Sequence, residues 1–254
     1  MNVIVLVKSI PDPGAPPRLE EDFTLDRDRA EAVLDPGDEH GVEAALQLAG
    51  EDGEVTAVTM GPEKALAAVR KALSMGAHRG VMVTDPALAG ADVLATARVL
   101  AAAVRRRPFD LVVAGVESTD GSTGTLPMTV AELLGLPSAT FARRVGRTEA
   151  GIRIERQTEA GYDVVDCPLP ALVTVTAGAN EPRYPTLKGI MQARQKPLDV
   201  LSLADLGLAA EDVAPTQEVV GVEPVPEKGG GEVLEDLREA AERVVDLLER
   251  AKVI

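Results

Sequence analysis

The loop at residues 115–125 has the composition of a phosphate-binding site. It reads G-V-E-S-T-D-G-S-T-G-T and follows a short apolar run that predicts a strand. Small residues let a ligand approach the backbone closely, and the hydroxyls of Ser122, Thr123 and Thr125 add donors. A helix is expected from about Ser122 to Leu134, and its free N–H groups and positive dipole end suit a phosphate. By itself the pattern fits either a phosphate site or a simple helix cap.

A second segment, residues 180–196, combines apolar and basic side chains in an otherwise acidic chain. Leu187, Ile190 and Met191 have the i, i+3, i+4 spacing of one helical face. The basic residues of the segment are Arg183, Lys188, Arg194 and Lys196. Two structures fit this pattern. One is a core helix with a solvated basic face, and the other is an exposed apolar anchor ringed by charge, which is typical of docking surfaces.

The motifs of common catalytic and dinucleotide sites are missing from the sequence. There is no G-x-G-x-x-G, no G-x-x-x-x-G-K-[ST] and no G-x-S-x-G. His40 and His78 are far apart and lack Cys or His neighbours at ligand spacing, which argues against a zinc site or a Ser/His/Asp triad. Cys167 is the single cysteine, so an internal disulfide is excluded, and we interpret it as a packing residue. The sequence offers no convincing catalytic group.

The first half of the chain alternates apolar runs with helical patterns. Strands are expected at 3–7, 54–60, 80–83 and 109–114, and helices at 38–48, 63–74 and 92–105. The first of these helices starts with an acidic cap. Such alternation implies a parallel sheet with right-handed crossovers, whose ligands bind at the carboxyl ends of the strands. The predicted fold class is α/β, a doubly wound Rossmann-like sheet.

The second half predicts a small antiparallel β region and a C-terminal helical arm. Short strands are expected at 142–145, 152–156, 163–165 and 172–176. After the basic segment comes an acidic linker with Pro215, Pro224, Pro226 and Gly229–Gly231, and then an amphipathic helix at 233–251 with Leu234, Leu237, Ala241, Val244, Val245 and Leu248 as apolar positions. We divide the chain into 1–200 and 201–254. The last helix would pack either on another chain or on its own domain.

Composition and charge disfavour several classes of partner. The 254 residues carry 26 Lys and Arg against 41 Asp and Glu, a formal net charge of −15, which disfavours nucleic acid and anionic membranes. Aromatic residues make up 2%, too few for the stacking platforms that bind single strands. No apolar run reaches the roughly 20 residues of a membrane-spanning helix, and the first residues predict a buried strand rather than a signal peptide. A cytoplasmic protein without membrane insertion is expected.

Four segments resemble the β subunit of electron-transfer flavoproteins. They are V-K-S-I-P-D at 7–12, A-L-S-M-G-A-H-R-G at 72–80, the strand and loop at 109–121, and N-E-P-R-Y-P-T-L-K-G-I-M-Q-A at 180–193. The last is the most specific, and the resemblance covers nearly the whole chain. It implies a subunit that pairs with a larger α subunit, helps to cover an FAD held mainly by that subunit, and carries electrons without a reaction of its own.

The resemblance also implies an AMP site, since the housekeeping members of the family bury an AMP with a structural role in this subunit. Carried over by position, the site would comprise Leu6, Asp35, Pro36, Gly37, Asp38, Met60, Gly115, Val116, Glu117, Ser118, Thr119, Asp120, Gly121, Ser122, Thr123, Gly124, Thr125 and Leu126. The phosphate would lie on the amides and hydroxyls of Gly121–Thr125.

The segment at 180–196 corresponds to the family's recognition loop. The resemblance implies that Leu187 inserts into an apolar pocket on acyl-CoA-type dehydrogenases, with Tyr184, Lys188, Ile190, Met191, Arg194 and Lys196 around it. Electrons would pass on to a quinone oxidoreductase, as in fatty acid oxidation, and the C-terminal helix would pack on the α subunit.

Three departures and two alternatives accompany the resemblance. Ala160-Gly161 stands where the family often has Gly-Gly, Pro13 where an aromatic residue near the flavin is common, and Pro127 where many members have Gly. Within the family, the alternative is a bifurcating type whose β subunit holds a second FAD in place of AMP and oxidises NADH. Outside it, the alternative is a stand-alone nucleotide-binding domain of the stress-protein type.

Overall fold

The computed structural model describes residues 1–21, 23–27, 29–223, 230–231 and 233–254. The chain divides into two units, Met1–Val219 and Val220–Ile254. The division drawn from the sequence at 200/201 falls inside a strand of the first unit, Leu198–Leu201. Pro224, Pro226 and Gly229 of the expected linker lie outside the described residues.

A nine-stranded sheet forms the centre of the first unit. Its strands are β1 (Asn2–Leu6), β4 (Glu54–Met60), β5 (Arg79–Val83), β6 (Leu111–Gly115), β7 (Ser138–Arg147), β8 (Gly151–Thr158), β9 (Gly161–Pro168), β10 (Ala171–Val175) and β11 (Leu198–Leu201). β2 (Ser9–Pro11) and β3 (Ala32–Leu34) form a separate antiparallel pair. The order in the large sheet is β11-β5-β4-β1-β6-β10-β7-β8-β9. Neighbours are parallel from β11 to β7 and antiparallel from β7 to β9.

Helices cover both faces of the parallel part. On one face α1 (Pro36–Ala49) and α2 (Leu66–Met75) pack on alternate strand residues such as Val3 and Val5. On the other, α3 (Val93–Arg105) and α4 (Leu126–Leu134) pack on the intervening ones, such as Ile4 and Leu6. A strand buried on both faces needs a continuous apolar run, which is why β1 and β6 read that way in the sequence. The predicted α/β doubly wound class is confirmed, including the antiparallel extension.

Two helices near the strand ends begin elsewhere than expected. Helix α1 is capped by Asp35 rather than by Asp38, because Pro36 suits the first turn and Asp35 accepts a hydrogen bond from the Gly37 amide. Helix α4 begins at Leu126 rather than near Ser122. Ser122 and Gly124 have left-handed φ angles of +44° and +61°, which no α-helix can contain.

The second unit contains helix α6 (Leu237–Arg250). It begins four residues later than the expected 233, because the Asp236 carboxylate accepts hydrogen bonds from the amides of Arg238 and Glu239 and so caps the first turn. Leu234 therefore precedes the helix. The large apolar side chains of α6 that lie exposed are Leu237, Val244, Val245 and Leu247. None of the helices in the described parts of the chain is long and apolar enough to cross a membrane.

Candidate functional site

The carboxyl ends of three parallel strands meet where the strand order reverses. β1 lies between β4 and β6, and the chain reaches these two neighbours through helices on opposite faces of the sheet. Leu6, Met60 and Gly115 are the last residues of the three strands. Ligands of doubly wound sheets bind in the crevice at such a switch point. The structure thus brings these three predicted site residues together at the expected edge.

Asp35 joins the start of α1 to the loop at 115–125. Its carboxylate accepts hydrogen bonds from the Gly37 amide at 2.8 Å, the Thr119 amide at 2.7 Å and the Thr119 hydroxyl at 3.1 Å. Asp35 is buried, and these three donors satisfy a carboxylate that would otherwise be costly to bury. The helix cap therefore also fixes the position of the loop.

Asp38, one turn further along α1, reaches the ends of both central strands. Its carboxylate accepts a hydrogen bond from the Lys8 amide at 2.7 Å, and a Cβ at Gly115 would come within 2.8 Å of it. Only glycine leaves room for this approach. Burial and the nearby carboxylate of Asp35 raise the pKa of Asp38 to about 8, although the amides of Lys8 and Gly115 act in the opposite direction. At neutral pH the Asp38 side chain is therefore mostly protonated.

Two cations that the sequence analysis missed converge on the loop. Lys8 Nζ lies 2.5 Å from Asp120 and donates to the Ser118 hydroxyl at 3.0 Å, while Arg27 lies 2.6 Å from the other oxygen of Asp120. Burial acts to raise the pKa of Asp120, but the hydrogen bonds from Lys8 and Arg27 and the charge of Lys8 bring it below its ordinary value. Lys8 follows β1 directly, and that position at a strand end was a usable signal. The sequence held no such signal for Arg27, because 93 positions separate it from Asp120.

Part of the predicted phosphate cradle is already engaged within the protein. The amides of Gly121 and Ser122 both donate to the Ser118 carbonyl, at 3.3 and 2.8 Å. Among the hydrogen bonds of the described residues, none uses the amides of Thr123, Gly124 or Thr125. The hydroxyl-bearing residues Ser122, Thr123 and Thr125 are exposed.

These groups fit an anion at the start of α4. Three successive amides, three hydroxyls and the positive end of a helix dipole are the donors that phosphate groups use in proteins. Lys8 and Arg27 add positive charge beside them. The amides still available to an anion are those of residues 123–125, since the amides of Gly121 and Ser122 already donate to the Ser118 carbonyl.

The second candidate surface, which we call the docking segment, is residues 180–196. It contains helix α5 (Leu187–Ala193), which starts where the Thr186 hydroxyl accepts a hydrogen bond from the Gly189 amide at 3.0 Å. Tyr184 is 90% exposed and Leu187 76% exposed, and two further apolar residues, Ile190 and Met191, are also exposed. These side chains do not lie in the core of this chain, so the core-helix alternative is wrong, and their role as an anchor for a partner stays a prediction.

The basic residues of the docking segment do not all face solvent. Lys188 and Arg194 are exposed. Lys196 points inward, where its Nζ donates to the carbonyls of Leu73 at 2.8 Å and Ala77 at 2.7 Å, and burial lowers its pKa. Lys196 thus holds the end of the segment on α2 instead of extending toward a partner.

The remaining candidate residues have structural partners. His78 Nδ1 accepts from the Val55 amide at 3.0 Å, and His40 Nδ1 lies 3.1 Å from the Asn180 carbonyl. Cys167 is buried, and that burial raises its pKa. In the part of the chain that the structure describes, no group of His, Cys, Asp or Glu could hold a metal ion.

Fold and site define a doubly wound α/β protein whose candidate ligand site lies at the strand ends and whose apolar docking segment lies apart from it. The family model described as the electron transfer flavoprotein domain matches residues 22–206 of this chain. The chain is 41% identical to the electron transfer flavoprotein subunit beta of Mycobacterium tuberculosis, over 100% of this chain and 99% of that one. It is 36% identical to the subunit beta of Bacillus subtilis and 33% identical to the caffeyl-CoA reductase–Etf complex subunit CarD of Acetobacterium woodii, each over 100% of both chains.

The chain therefore belongs to the electron transfer flavoprotein family, among its β subunits. The predicted resemblance is confirmed, and family membership supports a function in electron transfer. The stand-alone stress-protein alternative is wrong, because the similarity runs through the docking segment and the C-terminal arm.

Proposed function

We propose that this chain is the β subunit of a heterodimeric electron-transfer flavoprotein of the AMP-containing type. It would accept electrons from acyl-CoA-type dehydrogenases and deliver them to a quinone oxidoreductase, as in fatty acid oxidation. FAD, held mainly by the α subunit, supplies the redox chemistry when bound. This chain would contribute the docking segment, the nucleotide that stabilises the strand ends, and part of the flavin's cover.

The observation that carries the proposal is the exposure of the docking segment. Its apolar side chains stand in solvent on a short helix, with Lys188 and Arg194 beside them. Burying one leucine contributes roughly 1.5–3 kcal/mol, which suits a complex that must dissociate after each transfer. Flanking charge speeds the encounter more than it strengthens the complex.

AMP would lie at the switch point with its phosphate on the amides at 123–125. Leu6 and Met60 would form the floor, while Asp35 and Asp38 keep the loop in place through their contacts with Thr119, Lys8 and Gly115. AMP has no redox chemistry, so its role there would be to join loop, helix and strands. The site residues carried over from the family fit this role by position.

The C-terminal arm would contact the α subunit. Helix α6 has apolar residues that lie exposed in this chain, and an amphipathic helix needs an apolar surface to cover them. Truncation after Pro226 should therefore weaken the heterodimer, which sizing chromatography of the truncated and full-length proteins would measure. An unchanged heterodimer would contradict this role.

The decisive experiment is co-expression with an α subunit, followed by a visible spectrum and extraction of bound nucleotides. One FAD and one AMP per heterodimer would support the proposed type. A purified chain that stays colourless and ignores every α partner would contradict the heterodimer itself.

A bifurcating type is the second candidate, in which this subunit holds a second FAD in place of AMP and oxidises NADH. The observation in its favour is the Acetobacterium woodii relative, which by its name is a subunit of a caffeyl-CoA reductase–Etf complex. Two FADs per heterodimer, with flavin reduction by NADH alone, would select this candidate.

A further inference from the structure

The docking segment is attached to the body of the protein at both ends. At its start, Asn180 Nδ2 donates to the His40 carbonyl at 3.0 Å, and Arg183 pairs with Glu43 on α1. At its end, Arg70 on α2 donates to the Ala193 carbonyl at 2.6 Å, in addition to the inward contacts of Lys196. The exposed apolar side chains lie between these two attachments.

Glu43 is the centre of the first attachment. Arg183 donates to it three times, from Nε at 2.7 Å, from a terminal guanidinium nitrogen at 3.0 Å and from its backbone amide at 3.2 Å. Gln47 donates a fourth hydrogen bond at 2.8 Å. The Glu43 side chain is only 6% exposed, so both of its oxygens are committed to this arrangement.

The charge state of Glu43 agrees with its geometry. Burial acts to raise the pKa of Glu43, but the hydrogen bonds from Arg183 and Gln47 together lower it below the ordinary value. The carboxylate is therefore ionised in the folded protein, where a bidentate pair with a guanidinium is strong and directional. Such a pair fixes the direction in which the chain leaves Arg183, one residue before Tyr184.

We propose that Glu43 is a positioning residue for docking, which acts through Arg183 to order the docking segment before a partner arrives. The inference rests on the proposed function, since docking by this segment is itself proposed. A segment that is ordered in advance does not lose its conformational freedom on binding, and the complex is stronger by that amount. The effect belongs to association with the dehydrogenase and not to electron transfer within the complex.

The test uses the heterodimer as electron acceptor for an acyl-CoA dehydrogenase. In Glu43→Gln and in Arg183→Met, the KM of the dehydrogenase for the heterodimer should rise roughly tenfold, as expected when one or two long side chains must be ordered on binding. The limiting rate should stay at the wild-type value. The double variant should show the same rise as either single one, because the two side chains act as a unit. Arg183→Lys keeps the positive charge but loses the bidentate geometry of the guanidinium, so its KM should lie between those of the wild type and Arg183→Met.

A matched control breaks a different bidentate pair. Arg153 and Asp166 are joined at 2.6 and 2.7 Å on the antiparallel extension, and Asp166→Asn should leave the KM unchanged. Hydrogen exchange gives a second measurement that needs no partner. Amides at 184–192 should exchange faster in Glu43→Gln than in the wild type, while those of the sheet do not.

The outcomes separate this inference from the proposed function. If Leu187→Ala raises the KM while Glu43→Gln and Arg183→Met do not, the segment docks but Glu43 has no positioning role. If Leu187→Ala has no effect, the proposed docking function fails. Unchanged exchange at 184–192 in Glu43→Gln would overturn the inference irrespective of any partner.

Discussion

The strand-end loop at 115–125 and the docking segment at 180–196 are both held by helix α1, yet they present opposite chemistry to the outside. Asp35 and Asp38 at the start of α1 hold the loop, and His40 and Glu43 in its next turns hold the docking segment. In the loop, amides and hydroxyls remain available. In the docking segment Asn180, Arg183 and Lys196 bind to the body of the protein, and apolar side chains remain in solvent.

The difference teaches how one helix can support two proposed binding regions of different chemistry. An anion is met by oriented donors, so the structure uses buried carboxylates as anchors and leaves amides outside. A transient protein partner is met by apolar side chains, so the structure uses ion pairs and carbonyls as anchors and leaves leucine and tyrosine outside. In the loop, acceptors position the backbone and donors remain available. In the docking segment, polar groups position the backbone and apolar side chains remain exposed.

The largest effect is expected from removing the anchor of the loop. In Asp35→Ala, α1 loses its cap and Thr119 loses the acceptor of two hydrogen bonds, so the free energy of unfolding should fall by about 2–4 kcal/mol. Urea unfolding measures this change, and Asp35→Asn, which retains a capping oxygen, is the control. Equal stability of Asp35→Ala and wild type would show that the loop does not depend on α1.

The binding group of the docking segment should be next in size. In Leu187→Ala, the KM of an acyl-CoA dehydrogenase for the heterodimer should rise roughly 10- to 150-fold, which corresponds to the free energy of burying one leucine. The FAD and AMP content should stay intact. Val200→Ala is the control, since Val200 is an exposed apolar residue on the edge strand β11. Normal coupled rates in Leu187→Ala would contradict the assignment of docking to this segment.

A pH dependence distinguishes the loop region from the docking segment. Because the pKa of Asp38 is about 8 in the folded protein against an ordinary 3.8, the folded state binds this proton more tightly than the unfolded chain. The contribution to stability is complete below about pH 4 and is lost as the pH rises through about 8.

Asp38→Asn should remove that dependence. Between pH 5 and 8 the wild type should lose up to roughly 1 kcal/mol of unfolding free energy per pH unit relative to the variant. Taking the difference between the two proteins removes the contribution of His78, whose pKa is lowered by burial in both. Parallel stability curves for the wild type and Asp38→Asn would show that the Asp38 proton plays no part.

The smallest effect is expected at the cations beside the loop. In Lys8→Gln, retention of AMP should weaken by roughly 2- to 5-fold, because Lys8 is partly exposed and water screens its charge. Isothermal titration with AMP measures the change, and Lys188→Gln on the docking segment is the control that should leave AMP binding unaltered. An equally large loss of AMP binding in Lys188→Gln would mean that the net charge of the protein, and not the position of Lys8, sets the affinity.

The sequence predicted the strands of the parallel sheet well. β4 spans the expected residues Glu54–Met60, and β1 and β6 differ from expectation by only one or two residues at their ends. Apolar runs buried on both faces leave the chain no other environment, so their pattern is readable locally. The specific N-E-P-R-Y motif at 180–184 likewise identified the family before any contact was known.

Only the tertiary structure decided what each polar side chain does. Lys196 belonged by composition to the exposed basic ring, but its position shortly after α5 brings its Nζ to the carbonyls of Leu73 in α2 and of Ala77 just beyond that helix. The Asp120 and Arg183 pairs join residues 112 and 140 positions apart, a distance over which no local pattern carries information. Strand periodicity records burial along the chain, whereas a hydrogen bond depends on which atoms the finished fold places within 3 Å of each other.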